Sequence, residues 1–138
     1  MSEYVSAELR RLVCERASGL CEYCLLREED AFLPHEPDHI IAVKHRGLTI
    51  ESNIAWTCFV CNRAKGSDIS SIDEATGELQ RLFNPRVDVW EDNFRLLVDG
   101  KVLPLTSIGR VTAFLLRLNR PELVEIRKVL AREGRKPR

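Results

Sequence analysis

The chain has 138 residues, and 21 Lys or Arg are balanced by 21 Asp or Glu, so the formal net charge is zero. This neutrality argues against a strong sequence-blind electrostatic grip on nucleic acid, although a local basic patch remains compatible with it. Hydrophobic residues make up 44% of the chain and charged residues 30%, an ordinary globular balance that needs neither metal nor disulfides merely to form a core. No apolar run approaches the roughly 18–20 residues of a membrane span.

The opening MSEYVSAELRR is polar and lacks the apolar stretch of a signal peptide, so the expected compartment is the cytoplasm, with no membrane partner. Ser6 to Ser18 reads as a first helix, capped by Ser6, patterned by Leu9, Leu12 and Val13, and ended at Gly19. Cys14 falls on or near the Leu9, Val13 and Ala17 face and reads as a small buried hydrophobe. Cys21 and Cys24 follow on a tight turn, and Glu28 to Asp30 is a solvated acidic loop. Ala31 to Val43 reads as extended, with Pro34 and Pro37 arguing against a regular central strand. KHRGLTIESN is a loop and IAWTC a second short strand. After Cys61, NRAKGS starts a helix that Gly66 ends early. DEATGEL contains a turn at Thr76-Gly77, and ELQRLF reads as a strand. FRLLVDGKVLPL is a hairpin turning on Asp99-Gly100. Ser107 to Leu118 is helical in pattern, Pro121 opens another helix that Gly134 stops, and RKPR is a frayed tail.

Four of the five cysteines form two Cys-x-x-Cys pairs, Cys21/Cys24 in CEYC and Cys58/Cys61 in CFVC. Disulfides are disfavoured in a reducing cytosol. Each turn presents two thiolates, and together they supply the four tetrahedral ligands of structural zinc. Residues 25 to 57 separate the turns, longer than the spacing of a common zinc ribbon, so the insert has a purpose of its own. A redox dithiol is the competing reading, but such motifs usually occur once, beside a parallel-sheet pattern that is lacking here.

The insert carries the chemistry. CEYC…PDHIIAVKHRG…SNIAWTCFVCNRAKG resembles the HNH endonuclease motif in its four-cysteine form, over Cys21 to about Gly66. The resemblance implies an α+β fold built on a ββα-metal module, two short antiparallel strands and a helix clamping a divalent ion. It also implies metal-dependent phosphodiester hydrolysis. It makes His39 the general base, Asp38 and Asn62 ligands of the catalytic ion, and Asn53 the brace of the intervening loop. Asn62 stands at the last His position, so the chain reads HNN, and its neutral amide oxygen suits Mg²⁺ or Mn²⁺ better than zinc. Ala42 and Arg46-Gly47 stand where the family often has Pro and Gly-Gly. The residues alone support the same chemistry. A neutral imidazole can accept a proton from water near neutral pH. Neighbouring residues on an extended chain point to opposite sides, so Asp38 can face the ion while His39 faces the attacking water.

Lys44, Arg46, Arg63 and Lys65 make the segment from Glu36 to Gly66 locally cationic once it is metalled, and all four are expected to contact nucleic acid, Arg63 and Lys65 at the helix start. His45 is open to either phosphate or solvent, His35 is expected at the surface, and Glu36 reads either way. Trp90 and Phe94 are expected in the core, and Arg86 and Asn93 near the substrate or active site. From Asn119 to the end the chain carries +4 and the remainder −4, placing a basic outer side on helices whose apolar residues pack inward. The expectation is therefore one domain over residues 1–138, with a core motif at 21–66, an N-terminal helix, and a C-terminal hairpin followed by a helical appendage at about 107–133. Its partner is DNA, its metals are structural Zn²⁺ and catalytic Mg²⁺ or Mn²⁺, and no organic cofactor is called for. The rival readings are a catalytically silent zinc module that binds nucleic acid or protein, and a thiol redox protein.

Overall fold

A computed structural model describes residues 3–134. The tail expected to fray, residues 135–138, lies outside the described residues. Helix α1 (Ala7–Arg16) starts where Ser6 Oγ accepts from the Leu9 amide, and a left-handed Ser18-Gly19 pair follows its end. Its inward residues, Val13 and Ala17, pack with Ile54 and Trp56, and Cys14 and Leu9 lie half-buried against that cluster.

Strand β1 (Glu36–His39) pairs antiparallel with β2 (Ile54–Thr57), placing Asp38 opposite Ala55 and His39 opposite Ile54. All four β2 residues are buried, because α1 covers one side and the cysteine turns the other. Pro37 is tolerated because β1 has one strand neighbour, leaving its other edge without ladder bonds to satisfy. Helix α2 (Phe59–Lys65) follows β2 directly. It starts three residues earlier than the sequence suggested, since Cys58 is itself the N-cap, its Sγ accepting from the Cys61 amide at 3.4 Å. Arg63 and Lys65 therefore occupy the last turn and not the helix start, where cations complement the carbonyl end of the helix dipole.

Hairpin β3 (Ser70–Ile72)–β4 (Leu79–Arg81) turns as expected through Thr76-Gly77. A short helix α3 (Trp90–Asn93) leads into hairpin β5 (Phe94–Leu96)–β6 (Val102–Pro104). Its turn is one residue longer than Asp99-Gly100 alone. Gly100 N–H bonds the Leu97 carbonyl, and Gly100 follows at φ 88°, the left-handed position after a tight turn that glycine fills at least cost. A Cβ there would also strike the Val124 carbonyl at 2.5 Å. Helices α4 (Ser107–Leu115) and α5 (Pro121–Arg132) close the described chain.

The main core runs from the four cysteines and Tyr23 through Phe83, Phe94 and Val102 to Val111, Leu116, Leu118 and Leu123. Tyr23, Phe83, Phe94 and Trp90 form a chain of rings with centroids 6.2, 5.5 and 5.0 Å apart. Each fully buried aliphatic or aromatic side chain contributes roughly 1.5–3 kcal/mol, so the C-terminal elements are bound to the cysteine module by shared core. Among the described residues no helix is long and apolar enough to cross a membrane.

Two expected substrate residues prove structural. Arg86 pairs with Glu22 and donates to the Ile54 carbonyl, and burial pushes its guanidinium down to about 10. Asn93 is buried, donating to the Val89 carbonyl and accepting from Thr106 Oγ1 at 2.6 Å. The basic outer face of the C-terminal helices is also smaller than its composition suggests, because Arg120 and Arg127 point inward and are buried.

Candidate metal centres and active site

The two cysteine turns meet. The ligand atoms of Cys21, Cys24, Cys58 and Cys61 lie within 4.8 Å of one another, all buried. Four sulfurs each about 2.3 Å from a tetrahedral ion stand about 3.8 Å apart. Cys24 Sγ and Cys58 Sγ are 3.7 Å apart, so the donor set fits zinc. Hydrogen bonds from Cys21, Cys24 and Cys61 drive the Cys58 thiol strongly towards thiolate, while burial pushes Cys21 up.

Two arginines that the sequence left unassigned complete this centre. Arg120 reaches Cys58 Sγ at 3.5 Å and Cys61 Sγ at 3.7 Å. Burial lowers its guanidinium, but the Cys61, Cys24 and Cys58 sulfurs outweigh that and hold it above its usual value. Arg127 donates to the Cys24 carbonyl at 3.2 Å and to the Leu118 carbonyl at 2.8 Å. A buried cation needs an anion or several acceptors, and a tetrathiolate supplies the anion.

A second group of polar residues lies along β1 and α2. Asp38 is mostly buried, its carboxylate 16% exposed, and its Oδ2 has no hydrogen-bond partner among the described residues. Burial raises its pKa, and the Lys65 ammonium 3.6 Å away opposes the rise. Lys65 is 1% exposed and also donates to the His39 carbonyl at 3.1 Å. Lys65 therefore does not face solvent as a nucleic-acid contact, because α2 lays it against β1, where Asp38 compensates its charge. Asn62 is half-buried on the same helix. It lies three residues before Lys65, so the two are neighbours on the helix surface.

His39 is half-buried, with Nε2 2.8 Å from Thr49 Oγ1. Asn53 ties the loop between the strands. Its Oδ1 accepts from the Ile41 amide at 2.9 Å, and its Nδ2 donates to the Ile41 and Leu48 carbonyls at 2.9 and 2.8 Å. Gly47 passes so close that a Cβ would sit 1.7 Å from the Ile41 carbonyl oxygen. Arg46 before it adopts φ 73°, so a residue with a side chain occupies a left-handed position where glycine is easier. Lys44, His45 and Arg46 are exposed on this loop. Arg63 is exposed on α2, pairs with Glu36 at 3.2 Å and stacks 4.3 Å over Phe59. Glu36 is thus an ion-pair partner of Arg63. His35, expected at the surface, is fully buried, its Nε2 2.8 Å from the Leu26 carbonyl and its ring 6.5 Å from Trp56. It lies just before β1, where the chain passes under α1, and Arg10 caps its carbonyl.

Residues 21–68 match the family described as HNH endonuclease. The matched segment spans both cysteine turns, β1, β2 and α2, a mixed helix-and-strand unit with four cysteines positioned to bind a metal ion. No curated protein and no solved structure matches the chain.

Proposed function

We propose that the protein is a metal-dependent endonuclease that hydrolyses DNA phosphodiester bonds at the Asp38–His39 site. The observation that supports this most is a buried Asp38 oxygen without a hydrogen bond, next in sequence to a histidine held by the Asn53-tied loop. A buried acceptor left without a hydrogen bond costs free energy, and a hard cation is a ligand that satisfies it. Asp38 and Asn62 would hold Mg²⁺ or Mn²⁺, with water completing the oxygen shell. When bound, that ion supplies charge stabilisation to the phosphoryl oxygens and the leaving 3′ oxygen.

His39 takes a proton from water as the water oxygen bonds to phosphorus. The P–O3′ bond breaks, and the departing oxygen takes a proton from a second water. Lys44, Arg46 and Arg63, exposed around the site, bind the phosphates on either side of the cleaved one. Zinc at Cys21, Cys24, Cys58 and Cys61 plays no part in the reaction and fixes the start of α2, and with it Asn62. The test is plasmid cleavage by the purified chain with Mg²⁺ or Mn²⁺, joined to Mn²⁺ titration of Asp38→Ala and Asn62→Ala. The expected result is cleavage by the wild type, and weaker Mn²⁺ binding by both variants with zinc content unchanged. Wild-type Mn²⁺ affinity in either variant removes that residue from the ligand set.

A further inference from the structure

We propose that Thr49 is a positioning residue for this reaction, holding the His39 ring by Nε2 so that Nδ1 presents the basic lone pair. The inference rests on the hydrolytic reading above, but its observations are separate. His39 Nε2 lies 2.8 Å from Thr49 Oγ1, a full-strength contact. A neutral imidazole has one N–H and one lone pair. If the threonine hydroxyl donated to Nε2, it would consume the lone pair and leave Nδ1 protonated, with no base. If Nε2–H donates to Oγ1, the lone pair at Nδ1 stays available for the water. The second arrangement also survives the reaction. Once Nδ1 has taken its proton, Nε2–H still donates to Thr49, now from a cation, and such hydrogen bonds are stronger.

Thr49 is placed to hold the ring because its own backbone is tied. The preceding carbonyl, Leu48, accepts from Asn53 Nδ2 at 2.8 Å. The same amide group holds both the N–H and the C=O of Ile41, two residues after His39. Gly47 lies against Ile41 with no room for a side chain. The chain from Ile41 through Asn53 and Leu48 to Thr49 thus closes a ring of contacts back onto His39. This gives Asn53 a concrete effect on the chemistry: it sets where the Thr49 hydroxyl stands. Nothing in the sequence pointed to Thr49, because one threonine in a polar loop reads as an ordinary turn residue.

Two measurements on the full chain test the proposal. Long-range ¹H–¹⁵N spectra of neutral His39 should show the proton on Nε2 in the wild type and in Thr49→Ser, and a mixture of tautomers in Thr49→Val. In single-turnover cleavage of a labelled DNA duplex with Mg²⁺, Thr49→Val should lose about 10–10²-fold in rate at saturating DNA, the scale of a misplaced catalytic group. Its half-saturating DNA concentration should not move, and Thr49→Ser should recover most of the rate. Wild-type turnover in Thr49→Val, or a wild-type spectrum with the proton on Nδ1, overturns the proposal. If His39→Ala is inactive while Thr49→Val is unimpaired, only the role of Thr49 fails. If the wild type does not cleave, or His39→Ala cleaves as well as the wild type, the hydrolytic reading fails and takes this one with it.

Discussion

Lys65 shows how much a single side chain can mislead when only its charge is visible. In the sequence it is one more cation after CN, and cations near a nuclease motif suggest phosphate contacts. In the structure its ammonium is buried between the Asp38 carboxylate and the His39 carbonyl. Burial lowers its pKa, and Asp38 partly restores it. Removing one partner of a buried pair is costly because the other charge is stranded. Lys65→Met should therefore destabilise the fold by roughly 3–5 kcal/mol. Mn²⁺ should recover part of that loss, since an ion at Asp38 takes over the charge the lysine neutralised. Denaturant melts of both proteins with and without Mn²⁺ check this, and equal Mn²⁺ stabilisation in the two would contradict it. Asp38, His39, Asn53 and Asn62 could be named as candidates because the order and spacing of a motif are read in one dimension. Lys65, Thr49 and His35 were not, because burial depends on which face of a neighbouring element each one meets.

At the scale of elements, the second cysteine turn and α2 are one unit. Cys58 offers a zinc ligand and also the cap of the helix that carries Asn62. Serine caps helices well, so Cys58→Ser removes the ligand and keeps the cap. The expected result is loss of bound zinc, by elemental analysis, and a lower melting temperature; full zinc content with unchanged melting would contradict the four-cysteine centre. Arg120 extends the same unit to α5. With Met in its place the Cys58 and Cys61 sulfurs lose their buried donor, and zinc should leave about 10–100-fold faster under a chelator, the usual scale for groups supporting metal ligands. Release at the wild-type rate would show that Arg120 contributes only packing. Both helix boundaries around Pro121 and Gly134 were readable from local signals. The inward turn of Arg120 and Arg127 was not, because a basic residue on an amphipathic helix reads as solvated until the partner surface is known.

At the scale of the whole molecule, the β3–β4 hairpin is locked to α4 by Asp73, which is buried and receives Arg110 Nη2 at 2.9 Å and Ser107 Oγ at 2.6 Å. The Arg110 and Ser107 hydrogen bonds hold its carboxyl well below the usual carboxylate range. A depressed native pKa gives stability that is present above the unfolded value, near 4, and lost as pH falls towards the native one. The wild type should therefore melt higher than Asp73→Asn at neutral pH, and the gap should narrow as pH drops below about 4. Melting curves across that range check it, and a constant gap would contradict it. The β5–β6 pairing could be anticipated from turn chemistry, whereas this link between hairpin and helix joins residues 34 apart in sequence and leaves no periodic trace.

In the proposed mechanism His39 accepts the proton of the attacking water. Single-turnover cleavage of a labelled duplex at saturating Mg²⁺ by the wild type and by a folded, zinc-loaded His39→Ala tests it most directly. The expected result is DNA binding unchanged and a rate lower by about 10²–10⁴, the usual contribution of a positioned general base. A His39→Ala protein that cuts at the wild-type rate would contradict it.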